Sequence, residues 1–177
     1  MSGGRIATGG HTVLELGDGT RVPVRRIRPG DAAALQRLVG RSSDRSVELR
    51  FFGPLKELSD KMARRFADVD GVDKFALVAL DPENHDEIVG VVRYGREAGT
   101  DGAEYAALIE DRFQDRGLGI GLTRRLVEAA RQNGIKHLFA MVRRENAGML
   151  SLLRSLDLPE RMHWQDGAEH VEIDLSS

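Results

Sequence analysis

Three glycines in the run Gln114-Asp115-Arg116-Gly117-Leu118-Gly119-Ile120-Gly121 stand between a β-type segment and a helical one. A strand has to stop, turn and pass directly into a helix here, so the fold must layer helices on a sheet. A helix that opens straight after a strand presents unpaired N–H groups and the positive end of its dipole. Glycines clear away the side chains that would keep a ligand off those groups. The junction is therefore suited to a pyrophosphate.

The flanking periodicities support this reading. Before the loop, Ala103 to Glu110 alternates, with Tyr105, Ala107 and Ile109 on one side and Glu104, Ala106 and Leu108 on the other. After it, Leu118, Leu122, Leu126 and Ala129/Ala130 share one helical face, and Asn133-Gly134 stops the helix. Ile135 to Val142 then reads as a buried strand reached through a helical crossover, hence parallel to its predecessor. Upstream, Gly17-Asp18-Gly19-Thr20 joins Thr12–Leu16 to Val22–Ile27 as a hairpin. Short helices follow at Ala32 to Val39 and after Ser59, with Ser42 to Pro54 between them irregular or partly helical. Phe75 to Leu80 and Glu87 to Tyr94 are adjacent antiparallel strands, Met149 to Leu156 carries a helical stripe, and the chain closes on strands around Glu160–Trp164 and Val171–Leu175. The fold class is α/β (α+β): a mixed, mainly antiparallel central sheet with helices on both faces. Residues 1–11 read as a flexible N-terminus and 12–177 as a single domain, since 177 residues suffice for one core.

Other phosphate motifs fail at this loop. No G-K-[ST] follows the glycines, Leu122 stands where a dinucleotide fingerprint needs its third glycine, and no kinase catalytic-loop signature lies downstream. A net charge of -2 gives no footprint for nucleic acid or anionic membrane. The chain has no cysteine, which excludes disulfides, thiolate nucleophiles and cysteine zinc sites, and its five histidines show no paired spacing for a metal. Neither a leader nor a long apolar stretch is present, so the expected location is the cytoplasm.

Gln114-x-x-Gly117-x-Gly119, placed after an acid-bearing strand and before an amphipathic helix, resembles the acetyl-CoA loop (Q/R-x-x-G-x-G/A) of the GNAT N-acetyltransferases. Glu145-Asn146-x-x-Met149-x-x-Leu152 resembles that family's next segment, in which an Asn precedes a short helix beside the pantetheine arm. Arg28-Pro29-Gly30-Asp31, Ser46-x-x-Leu49-Arg50-Phe51-Phe52 and Ala103-Glu104-x-Ala106-x-x-Ile109 are similar to bacterial protein lysine acetyltransferases of the Pat type.

The resemblance implies acetyl transfer from acetyl-CoA to an amine, with a protein lysine as first acceptor and a small amine as second; a catalytically silent acyl-CoA sensor is the rival. It implies Glu104 as general base, with Glu110, at an expected strand bulge, as second candidate. The implied cofactor residues are Leu108, Ile109 and Asn146 together with Gln114, Arg116, Gly117, Leu118, Gly119, Gly121 and Leu122. Backbone N–H groups near Ile109 are to grip the thioester carbonyl. An amine nucleophile must be neutral, and a lysine is almost wholly protonated at pH 7, so a base or a water-linked proton path is required. Burial under an apolar lid is to raise the Glu104 pKa toward neutrality. Two departures stand out. Leu153 occupies a position where the family often has a tyrosine acid, leaving Ser151 or water to protonate the thiolate, and Asp157-Leu158-Pro159 replaces the usual Gly-Phe pair. With no cysteine to carry an acyl group, direct attack in a ternary complex is expected. Arg50, Phe51 and Phe52 border the acceptor side or pack in the core, and Arg143-Arg144 either meet CoA phosphates or are solvated.

Overall fold

The computed structural model describes residues 12–176; the expected flexible segment 1–11 lies outside them. Eight strands form one sheet, β1 (Thr12–Glu15), β2 (Arg21–Arg26), β3 (Lys74–Asp81), β4 (Asn84–Arg96), β5 (Gly102–Ile109), β6 (His137–Val142), β7 (Glu160–Gln165) and β8 (Ala168–Asp174), in the order β1-β2-β3-β4-β5-β6-β8-β7. Every neighbouring pair is antiparallel except β5–β6, which is parallel because α4 (Leu118–Gln132) carries the chain across between them. α1 (Ala32–Arg41), α2 (Asp44–Phe51) and α3 (Asp60–Ala67) lie on the opposite face from α4 and α5 (Ala147–Arg154).

The alternation in β5 divides its side chains between two cores. Tyr105, Ala107 and Ile109 join the α4 cluster, in which Leu118, Leu122 and Leu126 are fully buried, and Leu108 joins the α1–α3 cluster. Burying each of those three leucines contributes about 1.5–3 kcal/mol, so the apolar stripe is what holds α4 on the sheet. On the other face, Asp31 anchors the start of α1. Its carboxylate receives both terminal nitrogens of Arg25 at 2.7 and 2.8 Å and the Arg28 N–H at 2.7 Å. This explains why the segment Arg28-Pro29-Gly30-Asp31 forms a 3-10 turn entering a helix.

The segment 42–54, expected to be irregular or partly helical, contains α2. Ser43 caps it by accepting the Ser46 N–H at 3.1 Å, and Val47 is its one buried residue. So thin an apolar stripe explains why periodicity alone did not define the helix. α2 ends on Phe52 in the left-handed region at φ 59, a conformation a bulky residue adopts only at a cost of about 1–3 kcal/mol.

Candidate active site

The sheet splits in its middle. β5 pairs with β6 only through Gly102, Ala103 and Glu104, opposite His137, Leu138 and Phe139. Beyond Glu104, β5 stays with β4 as far as Ile109 while β6 stays with β8 as far as Val142. The two strands diverge, and a cleft of about 510 Å³ opens between Tyr105–Ile109 on one side and Ala140–Val142 on the other. The split needs no bulge at the end of β5. Its register against β4 runs unbroken, and the irregularities near this level lie between β3 and β4 at Ala79–Asp81.

Backbone groups face this cleft. The Glu110 N–H bonds to the Val89 carbonyl at 2.9 Å, and hydrogen-bonded pairs alternate along an antiparallel ladder. Tyr105, Ala107 and Ile109 therefore turn their backbone groups away from β4: the Tyr105 N–H serves the last bridge to Phe139 of β6, and the groups of Ala107 and Ile109 face the split. The Ile109 carbonyl fits this pattern, accepting from Gln114 Nε2 at 2.9 Å.

The glycine loop closes the far end. Gly117 is the N-cap of α4 at φ 91, where a β-carbon would be strained although nothing stands within 4 Å of it. The first intrahelical bond is Gly121 N–H to the Gly117 carbonyl, which leaves the amides of the preceding turn without helical partners. Gly119 also lines the cleft, and a β-carbon there would lie 2.8 Å from Leu152 Cδ1, so its absence lets α4 and α5 approach.

Of the residues singled out from sequence, Glu104, Leu108, Ile109, Gln114, Gly117, Gly119 and Asn146 line this one cleft. Arg116, Leu118, Gly121 and Leu122 do not. Leu118 and Leu122 are core residues with no exposure. Gly121 faces β1, where a β-carbon would meet Leu14 Cδ2 at 2.6 Å. Arg116 turns to the first hairpin, bonding Asp18 at 2.8 Å and Thr20 at 2.9 Å, and the Thr20 hydroxyl and N–H, with Arg116 added, draw the Asp18 pKa down to about 2. Asn146 caps α5 by accepting the Met149 N–H at 3.1 Å.

Glu104 projects to the α2 side of the sheet and is exposed, so the apolar lid expected over it is not formed by the described residues. Glu110, by contrast, is 5% exposed and held by Arg112 Nε at 2.6 Å and Arg41 Nε at 3.2 Å, which ties it into the scaffold. Both tyrosines of the chain are committed elsewhere. The Tyr105 hydroxyl bonds Thr123 at 2.8 Å and burial pushes its pKa up to about 12, while the Tyr94 hydroxyl donates to the Val72 carbonyl at 2.9 Å. Leu153 faces the core at 2% exposure, and Ser151 and Ser155 are the α5 hydroxyls that reach the cleft. Arg143 and Arg144 are engaged as well: Arg143 bonds Glu48 of α2 at 3.3 Å, and Arg144 stacks on Trp164 at 4.2 Å.

A polar chain missed from sequence ties the two walls together. Asp111 accepts the Ser43 N–H at 2.8 Å and the hydroxyls of Ser43 and Ser46 at 2.7 and 3.0 Å; Gln114 Nε2 in turn reaches Ser46 at 3.1 Å. Burial pushes the Asp111 pKa up, but these bonds outweigh it and hold the carboxyl below its ordinary value. No local pattern announces such contacts between residues 43–46 and 111–114.

The model of the acetyltransferase (GNAT) domain matches residues 21–158. The chain belongs to the GNAT acetyltransferase family. An acetyltransferase of Pseudomonas aeruginosa is 32% identical over 149 residues, covering 84% of this chain and 80% of that one. The GNAT domain of the S. lividans protein PAT superposes with a TM-score of 0.85 at 31% identity, covering 93% of this chain and 96% of that one. A Salmonella typhimurium protein described as an acetyltransferase and solved with its cofactor acetyl-CoA shares the fold, with a TM-score of 0.70 at 19% identity over 88% of this chain and 95% of that one. The split between β5 and β6 is thus the candidate site in a member of this family. No helix among the described residues is long and apolar enough to cross a membrane.

Proposed function

We propose that the chain transfers an acetyl group from acetyl-CoA to the amine of a protein lysine by direct attack, with Glu104 as general base, in the cytoplasm. The observation that carries this is the divided strand β5. Glu104 stands at the apex of the split, and the free amides of Ala107 and Ile109 run from it toward the open N-terminus of α4.

The α4 amides and the loop before it would receive the pyrophosphate, and Asn146, Met149 and Leu152 would flank the pantetheine arm. The thioester carbonyl lies against a free β5 amide, which stabilises the negative charge its oxygen gains on attack. The amine lone pair forms the C–N bond, Glu104 takes the proton through water, and the C–S bond breaks to release CoA thiolate. Water or Ser151 returns a proton to sulfur. The test is acetyl transfer by Glu104→Gln, which should lower kcat by about 10²–10⁴-fold, the usual contribution of a positioned base. Stabilisation by acetyl-CoA should persist in that variant; wild-type turnover would remove Glu104 from the role.

One observation favours a second reading, a catalytically silent acyl-CoA sensor: neither tyrosine hydroxyl faces the cleft. Stabilisation by acetyl-CoA with no transfer to any protein or small amine would decide for it.

A further inference from the structure

Several arginines of this fold have carboxylate partners. Arg25 has Asp31, Arg41 has Glu87 and Glu110, and Arg96 has Asp73. Among the described residues, four half-buried ones lack one: Arg26 and Arg125 do not line the main cleft, whereas Arg50 and Arg93 stand together beside it. Both guanidinium groups pack on the Phe66 ring, at 5.8 and 4.7 Å from its centre, and Arg50 also lies 4.6 Å from the centre of Phe51. Arg93 donates to the Phe66 carbonyl at 2.6 Å, and among the described residues neither arginine has a carboxylate within ion-pair distance. Two like charges thus share one aromatic ring without a direct ion pair, and Glu104 across the cleft is the carboxylate that acts on Arg50. Burial pushes the pKa of both downward, that of Arg93 to about 10, and the Arg50 charge adds to the effect on Arg93.

These arginines sit where the acceptor must enter. Arg50 lines the main cleft beside Glu104. A separate recess of about 20 Å³, room for about one water, lies between Arg50, Phe51, Phe66, Arg93 and Ala106. Ala106 lies on the same face of β5 as Glu104, about 7 Å further along the strand. The main cleft therefore presents a negative group, Glu104 on β5, and a positive one, Arg50 on α2, with no direct ion pair between them. That pattern complements a molecule bearing an amine and a carboxylate.

We infer that the acceptor carries a carboxylate close to its reacting amine, and that Arg50, supported by Arg93, receives it. This rests on the acetyl-transfer reading above and narrows its acceptor. The carboxylate, held in the main cleft against Arg50, relieves the repulsion between the two guanidiniums and forms charge-assisted hydrogen bonds. The amine meanwhile passes its proton to Glu104 through water. The carboxylate's source is either an acidic side chain beside a peptide lysine or the α-carboxylate of a small amino acid.

Two matched pairs separate these sources: a blocked peptide with Glu next to its lysine against the same peptide with Gln, and Nα-acetyl-lysine against its carboxamide. In the wild type, kcat/KM should favour the carboxylate member of one pair by about tenfold, or 1.4 kcal/mol, and the pair that responds identifies the source. Arg50→Gln should bring the ratio close to one, Arg50→Lys should keep part of it, and Arg93→Gln should lower it. Ratios within a pair cancel any general loss of folded enzyme. Ratios near one in both wild-type pairs, or a preference that survives Arg50→Gln, overturn the anion subsite and leave acetyl transfer standing. Absence of transfer to every member overturns the parent reading and this one together.

Discussion

Gly119 and Gly121 belong to one loop pattern yet face different neighbours, so alanine at each should fail in a different way. At Gly121 the added β-carbon would lie 2.6, 2.9 and 3.2 Å from Leu14 Cδ2, Cδ1 and Cγ, so the whole Leu14 side chain must change rotamer. Overpacking of this kind costs about 1–3 kcal/mol, and alanine returns about 1 kcal/mol of helix propensity, for a net loss of about 1 kcal/mol. In a protein of this size that lowers Tm by about 2–4 °C. Gly121 does not line the cleft, so the stabilisation by acetyl-CoA should match that of the wild type. At Gly119 the β-carbon would meet only the Cδ1 end of Leu152 at 2.8 Å, with Ile109 Cγ1 at 3.7 Å. Leu152 can swing, and the cost is largely offset by propensity, but it swings into the wall of the cleft. Gly119→Ala should therefore hold Tm within about 2 °C of the wild type while weakening acetyl-CoA by about tenfold, or 1.4 kcal/mol. Both numbers come from thermal unfolding with and without ligand, with calorimetry for the affinity. A Gly121→Ala variant that loses acetyl-CoA while Gly119→Ala retains it would refute the assignment of faces.

Glu110→Gln should destabilise by about 1–3 kcal/mol, less than a fully buried pair would lose, because Arg112 and Arg41 are 52% and 32% exposed. Turnover per folded molecule should hold; its loss in a folded variant would transfer the role of base from Glu104. Asp111 has a folded-state pKa below its unfolded one, so its contribution is full above the unfolded value near 3.9 and is lost as pH falls through the folded value. The stability gap between wild type and Asp111→Asn should accordingly be constant above about pH 5 and close toward zero in acid. A gap independent of pH down to pH 2 would remove Asp111 as the anchor of α2.

The fold was legible wherever burial has a period. The two-residue alternation in β5, the stripe of α4 and the Asn133-Gly134 stop each gave an element its place, and the crossover gave β6 its direction. The cleft was legible in part, because Glu104, Gln114, Gly117, Gly119 and Asn146 belong to short segments that the chain order brings together. What remained hidden depends on contacts distant in sequence. Gly119 and Gly121 are equivalent in a motif and separable only by what packs on each side of a helix. Leu153 matches a family position in sequence, yet the rotation of α5 turns it into the core. Gln114 donates to Ile109 and Ser46, so in this structure the motif glutamine pins the end of β5 to α2.

The geometry of β5 also constrains the proton path. Glu104 is the last residue of the strand paired on both edges, with Gly95 and Phe139, so its backbone is fixed more firmly than any cleft residue beyond it. From Glu104 the free amides of Ala107 and Ile109 lie about 10 and 17 Å along the strand. A glutamate side chain cannot reach an amine attacking a carbonyl held at either position. The proton must therefore travel through water between the amine and Glu104, and an exposed carboxylate at the apex of an open split is where such water has access. Exposure of Glu104 is then a condition of the proposed mechanism, and the buried, doubly paired Glu110 could not take its place.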